Sequence, residues 1–227
     1  MLGLDFSFIT PATWGMLWHG MTVTLKVTAT ALVVGLVWGT MLAMMRLSRW
    51  RPVQLFARGY VNLFRSIPLP MVLLGFYLIV PQMLQALFWQ AATWDTRMMS
   101  ALVGFALFES AYYAEIMRAG IQSVPRGQLS AASALGMQPM QAMRLVVLPQ
   151  AFRNMLPLLL TQLIVLFQDT SLVYVISLAD FFTSAENIGE RDGRIEEMMV
   201  VAAVSYFVIC YAASEGVRYL SRKRATS

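Results

Sequence analysis

Between Lys26 and Arg46 the chain runs from Val27 to Met45 without a single charge, and four more stretches of similar length follow it. About 20 apolar residues cross a hydrocarbon core of roughly 30 Å as an α-helix, the one single-segment structure that satisfies its own backbone there. The other stretches are Ser66 to Trp94, Met98 to Gly120, Asn154 to Ala179 and Met198 to Val217. The first is expected to start a turn or more before Val27, with Lys26 reaching toward the interface. Pro68, Pro70 and Pro81 predict irregular ends for the second. Glu109, Glu115 and Arg118 interrupt the third, and Asp169 is the sole charge of the fourth. These spacings predict an all-α membrane protein with five transmembrane helices.

Positive charge orients the bundle, because loops rich in Lys and Arg stay cytoplasmic. Arg46, Arg49, Arg51, Arg58 and Arg65 fill the connection after the first span, and Arg118, Arg126, Arg144 and Arg153 flank the connection between the third and fourth. Arg218, Arg222, Lys223 and Arg224 form the tail. The connection before the fifth span is acidic: Asp180, Glu186, Glu190, Asp192, Glu196 and Glu197 against Arg191 and Arg194. The N-terminus is therefore expected outside and the C-terminus inside. This asymmetry also accounts for the net charge of +5, so nucleic-acid binding is not expected. Asp5 precedes the first basic residue, Lys26, which does not fit the positive start of a cleaved signal peptide.

One cysteine, Cys210, forms no internal disulfide, and one histidine, His19, makes no metal cluster with Cys or His neighbours. No G-x-x-x-x-G-K-[ST] phosphate loop occurs, so the chain is not expected to be an enzyme, and no metal or cofactor of its own is expected. No internal repeat is visible, whereas complete secondary carriers are commonly built from repeats. A single domain over residues 1–227 that works with partners is the expectation. Gly35 and Gly39 are spaced for close helix contact, with lipid-facing glycines as the alternative.

Residues 121–150 form the polar interruption between the third and fourth spans. Pro125 suits a helix's first turn, Gly136 its end, and Pro139 the start of another. Met140, Met143 and Val147 recur at helical spacing. Within this interruption stand Ser130-Ala131-Ala132, then Gly136, then Val146-Val147-Leu148-Pro149. The pattern resembles the EAA loop of bacterial ABC importer permeases, in which Glu-Ala-Ala is followed by Gly and by Ile-x-Leu-Pro at the same spacing. Ser130 replaces the Glu. Tyr60 to Pro68, Tyr113 to Gln128 and Phe167 to Leu172 are similar to segments of the polar amino-acid permeases, the histidine/glutamine/glutamate family, with Gln168 where Lys often stands. Within it the chain looks most like the permeases of glutamate/aspartate importers.

The resemblance implies a type I ABC importer transmembrane domain in the bacterial inner membrane, multi-pass, with a cytosolic coupling helix. It implies a cytosolic ATPase dimer that uses ATP and Mg, a second permease in a heterodimer, an external substrate-binding protein and an amino-acid solute. Ser130, Ala131, Ala132, Gly136, Leu148 and Pro149 are then the ATPase-coupling residues. Carboxylates inside a span are costly and face a partner or a wet cavity, so Glu109 and Asp169, with Gln168, Thr170 and Ser171, are candidates for the solute pathway. The alternative partners of Glu109 are Tyr112 and Tyr113, and Asp169 has capping or bridging of helices as its alternative. Glu115 and Arg118, three apart, are expected to form a gate contact or local ion pair. The rival functions are an ion-coupled secondary carrier and a membrane scaffold that transports nothing.

Overall fold

The computed structural model describes residues 5–87 and 95–225, and those residues contain helices and no strand. Helix α1 (Pro11–Leu47) begins where Thr10 and Thr13 exchange backbone and side-chain hydrogen bonds in a capping box, with Pro11 in the first turn. Its 37 residues span about 55 Å. The uncharged stretch from Val27 is thus only its second part. The signal for the true start was the Thr-Pro-x-Thr cap, and Lys26 lies mid-helix.

The basic segment expected to be a connection is helix α2 (Arg51–Ser66). Ala57 and Val61, one turn apart, are buried against Leu42, Ala111 and Ala114, with Tyr60 and Phe64 beside them. The arginines take the other positions, so a charge count reads as a loop what periodicity reads as an amphipathic helix. Ile67 leaves the helix with φ −106° and ψ 134°, the extended conformation imposed by the following Pro68. Helix α3 (Leu69–Leu87) follows, with Pro81 inside it. The remainder of the expected second span, residues 88–94, lies outside the described residues.

Helix α4 (Thr96–Gln122), capped by Asp95, sits at the centre and packs against α1, α2, α3 and the later helix α7 (Leu148–Asp169). Among the described residues, four helical stretches are long and apolar enough to cross a membrane: Pro11–Leu47, Leu69–Leu87, Pro139–Ile176 and Ile195–Arg222. Helix α4 is not one of them, because Arg97, Glu109, Glu115 and Arg118 lower its hydropathy; Ser100, Glu109 and Ser110 of this helix are fully buried. Gly35 and Gly39 both face it. A Cβ on Gly39 would lie 2.8 Å from the Tyr113 Cβ and 2.9 Å from the Ser110 carbonyl oxygen. The glycine pair therefore brings α1 against α4 inside this chain and does not face lipid.

Helices α5 (Arg126–Ala134) and α6 (Pro139–Ala142) lead through a π-helical turn, Met143–Val147, into α7 (Leu148–Asp169). The fourth span is not α-helical to Ala179 as its apolar run suggested: a 3-10 segment, Thr170–Ile176, takes over, and Ser177 turns the chain with φ 53°. Thr170 and Ser171 donate their hydroxyls to the carbonyls of Phe167 and Gln168, at 2.7 and 2.8 Å. These three-residue back-bonds compete with α-helical geometry. The acidic connection is likewise a helix, α8 (Phe181–Asp192), before α9 (Ile195–Ala225). Lys223 and Arg224 of the basic tail lie outside the described side chains.

Asp180 ties the far end of the bundle together. Its side chain is fully buried and accepts hydrogen bonds from the backbone of Thr183 (2.9 Å) and Phe182 (3.3 Å) and the hydroxyls of Thr24 and Tyr206 (both 3.5 Å). One carboxylate thus caps α8 and joins it to α1 and α9. Asp180→Ala removes a cap and orphans buried donors, which should cost about 2–3 kcal/mol. Thermal unfolding of the detergent-purified protein should show the loss, and Asp180→Asn should retain part of it because Asn also caps.

Candidate functional site

Two groups of candidate residues fall in separate parts of the molecule. The first is the hairpin between α4 and α7. Pro125 is the N-cap of α5, one position before the expected first turn. The helix ends in a Schellman arrangement: Met137 N–H donates to Ala132 O at 3.1 Å and Gly136 N–H to Ser133 O at 3.0 Å, with Gly136 at φ 78°. A side chain is strained at that φ, although the space around Gly136 is open.

Ser130 and Ala131 are exposed on α5, with Leu129 and Leu135 also outward. The Ser130 hydroxyl donates to Arg126 O at 3.3 Å. Ala132 is only 2% exposed and faces the chain itself, so its methyl is not part of the outer surface. The apolar stripe divides in the same way. Met143 and Val147 pack on Ile121, Val124 and Ala151, whereas Met140 is exposed.

Leu148 and Pro149 are exposed at the start of α7. Pro149 has no N–H for Leu145 O and its ring crowds that carbonyl. The widened π turn ends immediately before it, with Leu148 N–H bonded back to Met143 O. Asn154 donates to Ser123 Oγ at 2.8 Å and Gln150 to Gln128 Oε1 at 3.4 Å. These bonds brace the base of the hairpin against α7, so that a push on α5 is passed to α7 rather than lost in a loose loop.

The second group surrounds Glu109 on α4. Its side chain is fully buried, and Gln162 Nε2 of α7 donates to both carboxylate oxygens, at 3.1 and 3.4 Å. Gln162 was not among the sequence candidates. Its signal was an amide in the middle of an apolar span, a group that needs a partner there as much as a carboxylate does. The expected tyrosine partners do not bond Glu109, and the Tyr113 hydroxyl is buried without a hydrogen-bond partner among the described residues.

Asp169, at the end of α7, is half-buried. Gln168 is exposed, Thr170 is buried and Ser171 is half-buried. The hydroxyl protons of Thr170 and Ser171 are committed to the backbone, so these groups can offer a ligand only acceptor lone pairs.

Glu115 does pair with Arg118, and the pair belongs to a larger cluster. Arg46 of α1 and Arg118 of α4 both contact the carboxylate, and Arg65 of α2 stands 3.9 Å away. Three helices meet at one carboxylate. The basic residues of the first connection thus include structural ligands that a count of loop charges does not reveal.

A bundle of long apolar helices with buried carboxylates at its centre and a braced polar hairpin at one end is an integral-membrane transport subunit. Residues 35–226 match the family described as binding-protein-dependent transport system inner membrane component, and the chain belongs to that family. It is 60% identical over 225 residues to the glutamate/aspartate import permease protein GltK of Escherichia coli O6:H1, covering 99% of this chain and all of that one. The arginine transport system permease protein ArtQ of Bacillus subtilis is 34% identical, over 92% of this chain and 91% of its own. A crystal structure of an amino acid ABC transporter with histidines superposes with a TM-score of 0.85 at 32% identity, covering 97% of this chain and all of that one. The protein is an ABC importer permease component of the inner membrane.

Proposed function

We propose that this permease moves glutamate and aspartate inward as one half of a heterodimeric pathway. The observation that carries this reading is the identity of 60% to GltK along essentially the whole of both chains. An identity this high over the whole length supports a shared solute and shared kinds of partner.

Five spans follow if α4 crosses as the buried central helix, with the N-terminus outside and the C-terminus inside. Residues 121–150 are then cytosolic. Ser130 and Ala131 on the outer face of α5, the Gly136 turn, and Leu148 and Pro149 at the root of α7 form the contact with a cytosolic ATPase dimer, and Ala132 seats α5 on the chain. That partner binds ATP and Mg; this chain supplies no nucleotide chemistry. Closure of the ATPases would draw the hairpins together and re-orient the spans between two states. Glu109, held by Gln162, and Asp169, with Gln168, Thr170 and Ser171, line the route, and the Glu115–Arg118 cluster, with Arg46, couples α1 and α4 at its inner end. Solute arrives from an external binding protein.

Proteoliposomes containing both permeases, the ATPase and the loaded binding protein should accumulate labelled glutamate only with ATP, and an ionophore should leave uptake intact. Uptake that persists without the ATPase and collapses with the ionophore would instead establish an ion-coupled carrier. A complex that assembles but moves no solute would establish a scaffold.

A further inference from the structure

Glu115 has both oxygens occupied: Arg46 contacts Oε2, and Arg118 reaches Oε1 through Nη2 and Oε2 through Nε at 3.2 Å. Arg65 is 3.9 Å from the same carboxylate, beyond hydrogen-bond distance, and its side chain is 43% exposed. It makes no side-chain hydrogen bond among the described residues. Three guanidinium groups therefore share one carboxylate; Arg46 keeps a buried Nε without a partner, and Arg65 is the one whose uncommitted donors are exposed.

Its position is nonetheless defined. The guanidinium carbon lies 5.5 Å from the centroid of the Tyr112 ring, a cation–π arrangement that holds the charge while leaving its N–H groups available. Tyr112 lies one turn after Glu109 on α4. The uncommitted donors of an exposed guanidinium thus stand over an aromatic ring one turn from a buried carboxylate. A free amino acid carries a carboxylate that complements this charge, and an acidic one carries a second.

We propose that Arg65 is a specificity-determining residue that receives a carboxylate of the solute in the pathway. This rests on the reading that the chain carries acidic amino acids. It removes the electrostatic obstacle of that reading, since Glu109 and Asp169 alone would repel an anion. Arg46 and Arg118 cannot relieve it, because Glu115 already engages both. The planar guanidinium fork also matches a carboxylate in two-bond geometry, and such charge-assisted pairs are among the strongest hydrogen bonds available.

The test uses the complete complex in proteoliposomes with saturating loaded binding protein, comparing wild type with Arg65→Gln. Labelled-glutamate uptake should fall about tenfold or more, as expected for losing one charge-assisted hydrogen-bonded pair. ATP hydrolysis stimulated by the binding protein and thermal unfolding of the complex should stay within about twofold and a few degrees of wild type. If Arg65→Gln does not assemble, Arg65→Met replaces it, keeping the apolar stem over Tyr112 without the charge. Uptake unchanged in the assembled variant overturns the proposal, as does a fall in uptake matched by an equal fall in stimulated ATP hydrolysis, which marks a mechanical role. A wild-type complex that carries neither glutamate nor aspartate overturns the functional reading itself, before any variant is compared.

Discussion

Gly39→Leu should leave almost no folded subunit in the membrane. The first carbon of any side chain at this position meets Tyr113 Cβ at 2.8 Å, Ser110 O at 2.9 Å and Ala114 N at 3.0 Å. Two of those neighbours are backbone atoms of α4, so no rotamer change relieves the clash, and α1 must move away from the central helix. Overpacking of this kind costs upwards of about 3 kcal/mol. That is a large share of the 5–15 kcal/mol or so that holds a typical folded domain together. The movement would also separate Arg46 from Glu115 and open the contact of Leu42 with Ala57 and Val61. Gel filtration after detergent extraction, with protease resistance as a second readout, should show loss of the monodisperse complex. Gly75→Leu is the matched control, because a Cβ there meets nothing within 4 Å. A monodisperse, protease-resistant Gly39→Leu protein would show that α1 and α4 do not meet as described.

Gly136→Trp should have the opposite signature, a folded complex that no longer transports. The space around Gly136 is open, so the cost to the fold is that of a side chain at φ 78°, about 1–2 kcal/mol. The indole would project from the turn that joins α5 to α6, beside exposed Leu135. If this turn seats against the ATPase, a ring there holds the two surfaces apart. ATP-driven uptake should then fall by about a hundredfold, the effect of losing roughly 3 kcal/mol of docking energy. Insertion and detergent extraction should match wild type. Gly136→Ala, which carries the φ strain without the bulk, separates the two causes and should keep most of the transport. Normal uptake by Gly136→Trp would remove this turn from the coupling surface.

The hairpin was legible because its signals are local. Pro125, Gly136 and Pro139 act through backbone geometry within a few residues of themselves, and the two short helices and the left-handed turn fall where those residues put them. The ends of the spans were less legible. A search for uncharged runs begins α1 at Val27, yet a helix covered by other helices tolerates Lys26 and starts at its cap. Helices α2 and α8 were read as charged connections because charge was counted without its period. The change from α to 3-10 helix at Thr170 depends on where two hydroxyls turn.

The candidate pathway divides along the same line. Placing carboxylates in apolar spans identified Glu109 and Asp169 as groups in need of partners. Finding Gln162 as the partner of Glu109, and Arg65 over Tyr112, required the distance between helices that lie far apart in the chain. The Glu115 and Arg118 pair, three residues apart on one helix, needed only the helical repeat.

From the order of its residues alone, this chain was bound to be a multi-helix membrane protein with a turn at Gly136, since transfer from water to hydrocarbon and backbone sterics act on each segment separately. Which face of α1 meets α4, why α4 can carry two carboxylates, and which of three arginines keeps exposed donors were decided only on packing. Those outcomes depend on side chains from distant segments occupying the same few ångströms, and no segment carries that information by itself.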